Sequence, residues 1–233
     1  MEWRLVMRRK QIILLSGVFG AVAGVLATNR SIQISIDVPA FATDRALLAH
    51  PQFAVAIVGW VLFSIYWEVA ARNAAAAKSS ESRVSRGFHV FLANVAFLLV
   101  IVPIRGLGRF LPASSFIMTA GLSVEGMGLF LAIRARRHLG RNWSGEIAIK
   151  VEHQLIRSGP YRVLRHPIYT GLLAMYAGAA LVTGEWLAIV GLTMAGFAYW
   201  RKIRLEEANL KAAFGTNYDA YRQQTWALFP GLL

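Results

Sequence analysis

The chain has 233 residues, 56% of them hydrophobic and only 16% charged, and its mean hydropathy is +0.48. Soluble domains carry about a quarter charged residues and disordered chains are poor in apolar ones, so both classes are excluded. The sequence has no cysteine, which rules out a disulfide scaffold and a thiolate-held metal centre, and 25 Lys and Arg against 12 Asp and Glu leave a net charge of +13 to explain.

A membrane-crossing helix needs about 20 largely apolar residues. Residues 11–28 meet this behind Arg4, Arg8, Arg9 and Lys10; with no polar cleavage region following, the pattern predicts an uncleaved first span. Residues 53–71, 88–104 and 114–133 predict the second, third and fourth. Residues 168–200 are almost unbroken apolar sequence with Thr183-Gly184-Glu185-Trp186 at the centre, poor material for a bilayer midplane, and so predict a tight helical hairpin of two short spans. The expected fold is an all-α integral membrane protein of about six transmembrane helices.

The charge then falls into place. Twenty-one of the 25 basic residues lie before the first span, between the second and third, between the fourth and fifth, or after the last; only Arg30, Arg45, Arg105 and Arg109 fall on the other side. Short cytoplasmic loops collect Lys and Arg, so both termini are predicted inside and nucleic acid is not needed to explain the charge. Segments 135–167 and 201–233 are then cytoplasmic. The first has turns at Gly140-Arg141-Asn142 and Ser158-Gly159-Pro160 and a strand-like run at 147–151. The second opens as a helix that Gly215 can cap, followed by a shorter helix over 217–226, and Ala74–Ala77 reads as a short helical run.

The chemistry concentrates at Gly159–Gly171, Gly-Pro-Tyr-Arg-Val-Leu-Arg-His-Pro-Ile-Tyr-Thr-Gly. Pro167 suits the first turn of a helix, placing His166 at its mouth among outward-pointing N–H groups. With Arg162 and Arg165 alongside, that mouth favours an anion, while Tyr161 and Tyr169 offer rings that can face a cation. The alternative is that Arg and Tyr merely anchor the interface and His166 caps the helix. A second cluster, Arg201-Lys202-Ile203-Arg204-Leu205-Glu206-Glu207, follows the last span; it reads either as a solvated helix face or as carboxylates and cations placed for a ligand.

These blocks, with Leu139-Gly140-Arg141-Asn142-Trp143-Ser144 upstream and Phe214-Gly215, Tyr218 and Tyr221 downstream, resemble the isoprenylcysteine carboxyl methyltransferase family and its phospholipid methyltransferase relatives. The resemblance covers about residues 139–231 and divides the chain into membrane spans (1–133) and a methyltransferase-like catalytic region (134–233). It implies an integral-membrane enzyme that uses S-adenosyl-L-methionine at its cytoplasmic face on a lipophilic or prenylated small-molecule or peptide acceptor. Carried over by position, the cofactor contacts fall on His153, Gln154, Leu155, Ile156, Tyr161, His166, Pro167, Ile168, Tyr169 and Glu207. The substrate-side cation falls near Lys202, with Arg201 and Arg204 as neighbours. Where eukaryotic members have a longer acidic run, this chain has Leu205 before only two glutamates.

A carboxylate acceptor needs alignment and a dry site more than acid–base help, and positioning can supply roughly 7–11 kcal/mol. The alternatives are an aminophospholipid or a small thiol; an amine acceptor would need a base, for which Glu206 or His166 is a candidate, and Glu206, Glu207 and His166 are the candidate catalytic residues. A transporter or scaffold is the reading of another class; it predicts buried charges along several spans, and only Glu125 lies deep. That carboxyl is either functional or protonated and bonded to a neighbouring helix. His50, His89 and His138 lack ligand spacing, so no metal is expected.

Overall fold

The computed structural model describes residues 50–72, 77–80, 82–103, 108–143, 148–150 and 154–231; the predicted first span and His153 lie outside them. Six helices and a two-stranded ribbon are present among these residues. Helix α1 is Pro51–Ala71, opened by Pro51 in its first turn. Strand β1, Ala77–Ser80, precedes α2, Arg83–Ile101, whose N-cap Ser82 accepts the Ser85 N–H at 3.2 Å. Helix α3, Ser115–Leu139, carries Arg136, Arg137 and His138 in its last turn, where cations complement the helix dipole. Strand β2, Ala148–Lys150, pairs antiparallel with β1. The strand-like run was thus legible, but Ala77, read as helical, opens the partner strand.

Helix α4, Pro167–Thr183, and α5, Trp186–Phe214, form the predicted hairpin. Gly184 turns it in the left-handed region (φ 63°), and its carbonyl accepts the N–H groups of Phe110 and Leu111 at 2.8 and 3.2 Å. The second arm does not stop at Trp200. It runs 29 residues unbroken to Gly215, so the predicted last span and the predicted helix after it are one rod of about 43 Å, longer than a bilayer core. Helix α6, Thr216–Gln223, closes the chain's helical part. Helices α1, α2 and α3 are long and apolar enough to cross a membrane, and α4 is a shorter apolar helix.

Helices α3 and α4 run antiparallel along a glycine seam. A Cβ on Gly178 would lie 2.5 Å from the Gly121 carbonyl, and one on Gly171 would lie 2.5 Å from the Gly128 carbonyl. Two glycines seven residues apart on each helix let the backbones touch, as small residues do where lipid leaves no hydrophobic drive. The same close approach holds Gly191 of α5 against the Ala96 carbonyl of α2. Glu125 is buried in the α3 seam against Gly59 and Gly178, and neither of its oxygens has a hydrogen-bond partner among the described residues.

Candidate active site

The loop before α4 is laced to the C-terminal tail. Arg165 and His166 donate their backbone N–H groups to the Trp226 and Ala227 carbonyls at 2.7 and 3.1 Å, and Trp226 donates back to Val163 at 3.0 Å. The Thr170 hydroxyl donates to the Leu228 carbonyl at 2.7 Å. This clamp fixes the start of α4 and buries His166. Meanwhile the unbroken α5 carries Glu206 and Glu207 past the apolar segment to the same mouth.

There the imidazole is wedged between the two carboxylates. His166 Nδ1 lies 3.6 Å from Glu206 Oε2, and Nε2 lies 3.4 Å from Glu207 Oε1. Arg165 Nε donates to Glu207 Oε1 at 2.8 Å, and Arg222 Nε stands 3.9 Å from the other Glu207 oxygen. Arg165 Nη1 also donates to the carbonyls of Arg222 and Thr225. Tyr169 donates its hydroxyl to Glu206 at 2.5 Å. Arg165, expected to face an external anion, is therefore committed to Glu207 and the tail carbonyls, because a buried guanidinium takes whatever acceptors satisfy its fork. Arg162 is exposed.

Burial by itself would push the His166 pKa down, but its hydrogen bonds to Glu206 and Glu207 and their charge outweigh this and raise it. Burial likewise opposes ionisation of both glutamates, yet His166 and Lys202 hold Glu206 below the usual carboxylate range, and His166 and Arg165 bring Glu207 to about 2. The signs give a pH window. The glutamates' contribution is fully present above about 4.5 and is lost as pH falls toward 2. That of His166 is fully present below about 6.5 and is lost as pH rises through its raised value. The buried phenols of Tyr161, Tyr218 and Tyr221, raised chiefly by burial, weigh in only above about 10. Thermal unfolding in detergent is expected to be hardest near pH 5–6.5, with a first alkaline loss between 6.5 and 10 that His166→Gln abolishes; an unchanged alkaline limb in that variant refutes the assignment.

Of the three predicted substrate cations, the structure turns one toward this cluster. Arg201 donates to the Ser85 hydroxyl at 2.6 Å and lies over the Phe88 ring, so it ties α5 to α2. Arg204 is exposed. Lys202 is 9% exposed, its Nζ is 5.9 Å from the Tyr169 ring, and its charge acts on Glu206. The rings continue inward from the mouth: His166 stacks on Tyr169 at 5.7 Å and Tyr169 on Tyr199 at 5.2 Å. Tyr161 is buried against His138 in electrostatic reach of Glu206, with its carbonyl taking the Tyr221 hydroxyl at 2.7 Å. Pro167 and Ile168 are buried in the first turn of α4. Ile156 packs on the core and Leu155 is half-buried, but Gln154 is exposed, and no hydrogen bond or ion pair among the described residues joins the three to His166.

Two site features escaped the sequence: the tail at 225–228, whose contacts are made by backbone, and Tyr199, hidden in an apolar run. The hydroxyl of Tyr218, a residue 1% exposed, is buried beside Glu207. No cluster that could hold a metal occurs among the described residues. The donor set fits a zwitterionic sulfonium nucleotide. Two carboxylates suit an ammonium, aromatic faces suit a sulfonium, and the N–H groups of Ile168 and Tyr169, in the first turn of α4, have no intrahelical acceptor and suit a carboxylate.

Residues 116–217 match the phospholipid methyltransferase family, and this stretch holds Tyr161, His166, Tyr169, Lys202, Glu206 and Glu207. Over that stretch the chain is similar to the family. A probable protein-S-isoprenylcysteine O-methyltransferase of Oryza sativa subsp. indica is 31% identical over 118 residues, 49% of this chain and 62% of that protein. The cobalt-zinc-cadmium resistance protein CzcN of Cupriavidus metallidurans is 33% identical over 122 residues, 51% of each chain. A solved structure of a eukaryotic intramembrane Ras methyltransferase (isoprenylcysteine carboxyl methyltransferase) is 22% identical with a TM-score of 0.46, covering 95% of this chain and 68% of that one. The match thus spans less than two thirds of the rice relative's length. The matched segment includes the whole α4–α5 hairpin, so the family match and the cluster at its mouth concern the same residues.

Proposed function

We propose that the protein is an integral-membrane, S-adenosyl-L-methionine-dependent methyltransferase whose acceptor is the carboxylate of a lipophilic, isoprenylcysteine-like molecule, with the site on the cytoplasmic face. The observation that carries this reading is the wedging of His166 between Glu206 and Glu207 at 3.4–3.6 Å, at the open end of an apolar hairpin. When bound, the cofactor supplies an electrophilic methyl group on sulfur. Glu207 and Glu206 hold its cationic portion, His166 fixes both carboxylates, and the start of α4 receives its carboxylate. Lys202 orients the acceptor carboxylate. Apolar walls of α4 and α5 keep the reacting atoms dry and admit a hydrocarbon chain from the bilayer.

The same geometry ranks the acceptors. An amine needs a base, and both candidates are spoken for: His166 is held toward its protonated form and Glu206 toward its ionised, weakly basic form. A carboxylate needs none. Membranes containing the protein, given methyl-labelled cofactor and an S-prenylcysteine acceptor, are expected to yield label that base releases as volatile methanol. Base-stable label overturns the ester reading in favour of nitrogen or sulfur. No transfer, with no binding of the cofactor to purified protein, returns the chain to the transporter or scaffold class.

A further inference from the structure

The tail that clamps His166 runs parallel to the chain entering α4. Arg165 and His166 donate their backbone N–H groups to Trp226 and Ala227 at 2.7 and 3.1 Å, and one turn into the helix the Thr170 hydroxyl donates to Leu228 at 2.7 Å. Each step along the tail is therefore a step from the mouth of α4 toward its apolar interior. The clamp consumes main-chain groups and leaves large apolar side chains outside. Thr225 and Ala227 are buried, but Trp226 and Phe229 are exposed, and so is Val163, whose carbonyl takes the Trp226 N–H. Residues 223–233 carry no charge.

Helix α5 fixes the level at which these side chains stand. Tyr169, the neighbour of Thr170, stacks on Tyr199 at 5.2 Å. Around Tyr199, α5 exposes Phe197 and Trp200, their rings stacked at 6.0 Å. Trp200 closes the predicted last span, where aromatic side chains mark the boundary between lipid and water. The outward residues of the tail continue that belt. Cations flank them. Arg162, next to Val163, is exposed and enters none of the ion pairs among the described residues. Arg222, four residues before Trp226, is half-exposed at 3.9 Å from Glu207. Apolar tips between guanidinium groups suit an anionic lipid surface, where rings bury among headgroups and cations meet phosphate. A soluble partner would have to displace the bilayer that meets α5 at this level.

We propose that the tail from Trp226 to Phe229 is a membrane-surface contact. Trp226, Phe229 and Val163 seat among the headgroups of an anionic bilayer at the surface where α4 begins, and Arg162 pairs with lipid phosphate. The strap that fixes His166 from one side is thereby held by lipid from the other. This contact holds whatever reaction the site performs.

The chain has no cysteine, so a single one can be labelled cleanly. Phe229→Cys is compared with Ala213→Cys, an exposed position on α5 thirteen residues beyond Trp200. Each full-length variant carries an NBD fluorophore and is reconstituted into vesicles of phosphatidylcholine, alone or with an equal part of phosphatidylglycerol. In the mixed vesicles the label at position 229 should be quenched at least about threefold more by a headgroup-level nitroxide lipid than by aqueous iodide, and the label at 213 the reverse. Adding Arg162→Gln should lower the lipid quenching at 229 to its level in phosphatidylcholine alone. Quenching of Trp226 by brominated lipid, read as the difference between wild type and Trp226→Phe, should show the same preference for mixed vesicles without any label. Iodide quenching at 229 equal to that at 213 overturns the proposal. So does protection from both quenchers, which marks a face covered by protein such as a second copy. Equal lipid quenching in the two kinds of vesicle, unaffected by Arg162→Gln, removes the anionic partner and the proposal with it.

Discussion

Glu207→Ala is expected to weaken S-adenosyl-L-methionine binding by more than tenfold and to lower the protein's thermal stability at neutral pH. The carboxylate takes the Arg165 Nε at 2.8 Å and the His166 Nε2 at 3.4 Å, and Arg222 approaches its other oxygen. Arg165 has only 6% of its side chain exposed, so without Glu207 a buried cation stays next to the positive end of α4. Breaking a buried pair from one side costs about 3–5 kcal/mol, and the Arg222 and Thr225 carbonyls that Arg165 keeps move this toward the lower figure. Glu207→Gln retains an accepting oxygen for Arg165 but loses the charge, so it should destabilise less than Glu207→Ala while binding the cofactor as poorly. Calorimetry on detergent-purified protein reads the affinity and a melting curve reads the stability. Wild-type affinity in both variants removes Glu207 from the cofactor site.

How much of this was readable in advance depends on whether a feature is written in side chains or in backbone. The hairpin was legible because Thr183-Gly184-Glu185-Trp186 interrupts an apolar run, and Gly184 does take the left-handed turn. The meeting of His166 with Glu206 and Glu207 was anticipated only through a family resemblance, since 41 residues of sequence separate His166 from Glu207 and no local period links them. The role of Arg165 was misread. Its position by a helix start suggests an anion, but nothing local shows that a carboxylate of its own chain arrives there. The continuity of α5 was missed because charges at Arg201 and Lys202 mark the end of a span, not of a helix: a rod can leave the membrane without breaking. The tail clamp was invisible, since its hydrogen bonds come from main-chain groups of Trp226 and Ala227 that any residue types could supply. The glycine seam was written in the sequence, as Gly121 and Gly128 facing Gly171 and Gly178, but equal spacings on two segments identify a contact only once they are known to be antiparallel neighbours.

That seam carries the other large expected effect. Gly178→Ala adds a methyl group that meets the Glu125 backbone nitrogen and the Gly121 carbonyl at 2.5 Å, and neither can rotate away as a flexible side chain would. Overpacking of this kind costs about 1–3 kcal/mol, and Gly171→Ala, facing the Gly128 carbonyl at the same distance, should cost as much. Gly126→Ala is the control: it sits on the facing helix α3, one residue from Glu125, and an added Cβ meets nothing within 4 Å. Its melting temperature should stay at or above that of wild type, because a helix interior prefers alanine to glycine. The functional consequence separates this from simple destabilisation. Helix α4 starts at the residue after His166, while Glu207 rides on α5, so pushing α4 off α3 shifts the imidazole against its carboxylates. A displacement of about 1 Å at reacting groups can cost on the order of a hundredfold in rate. Gly171→Ala, only five residues from His166, should therefore lose more methyl transfer per degree of melting temperature than Gly178→Ala, which lies a further seven residues along α4. Equal losses in the two would mean that the helix pair moves as one body and that the seam serves stability alone.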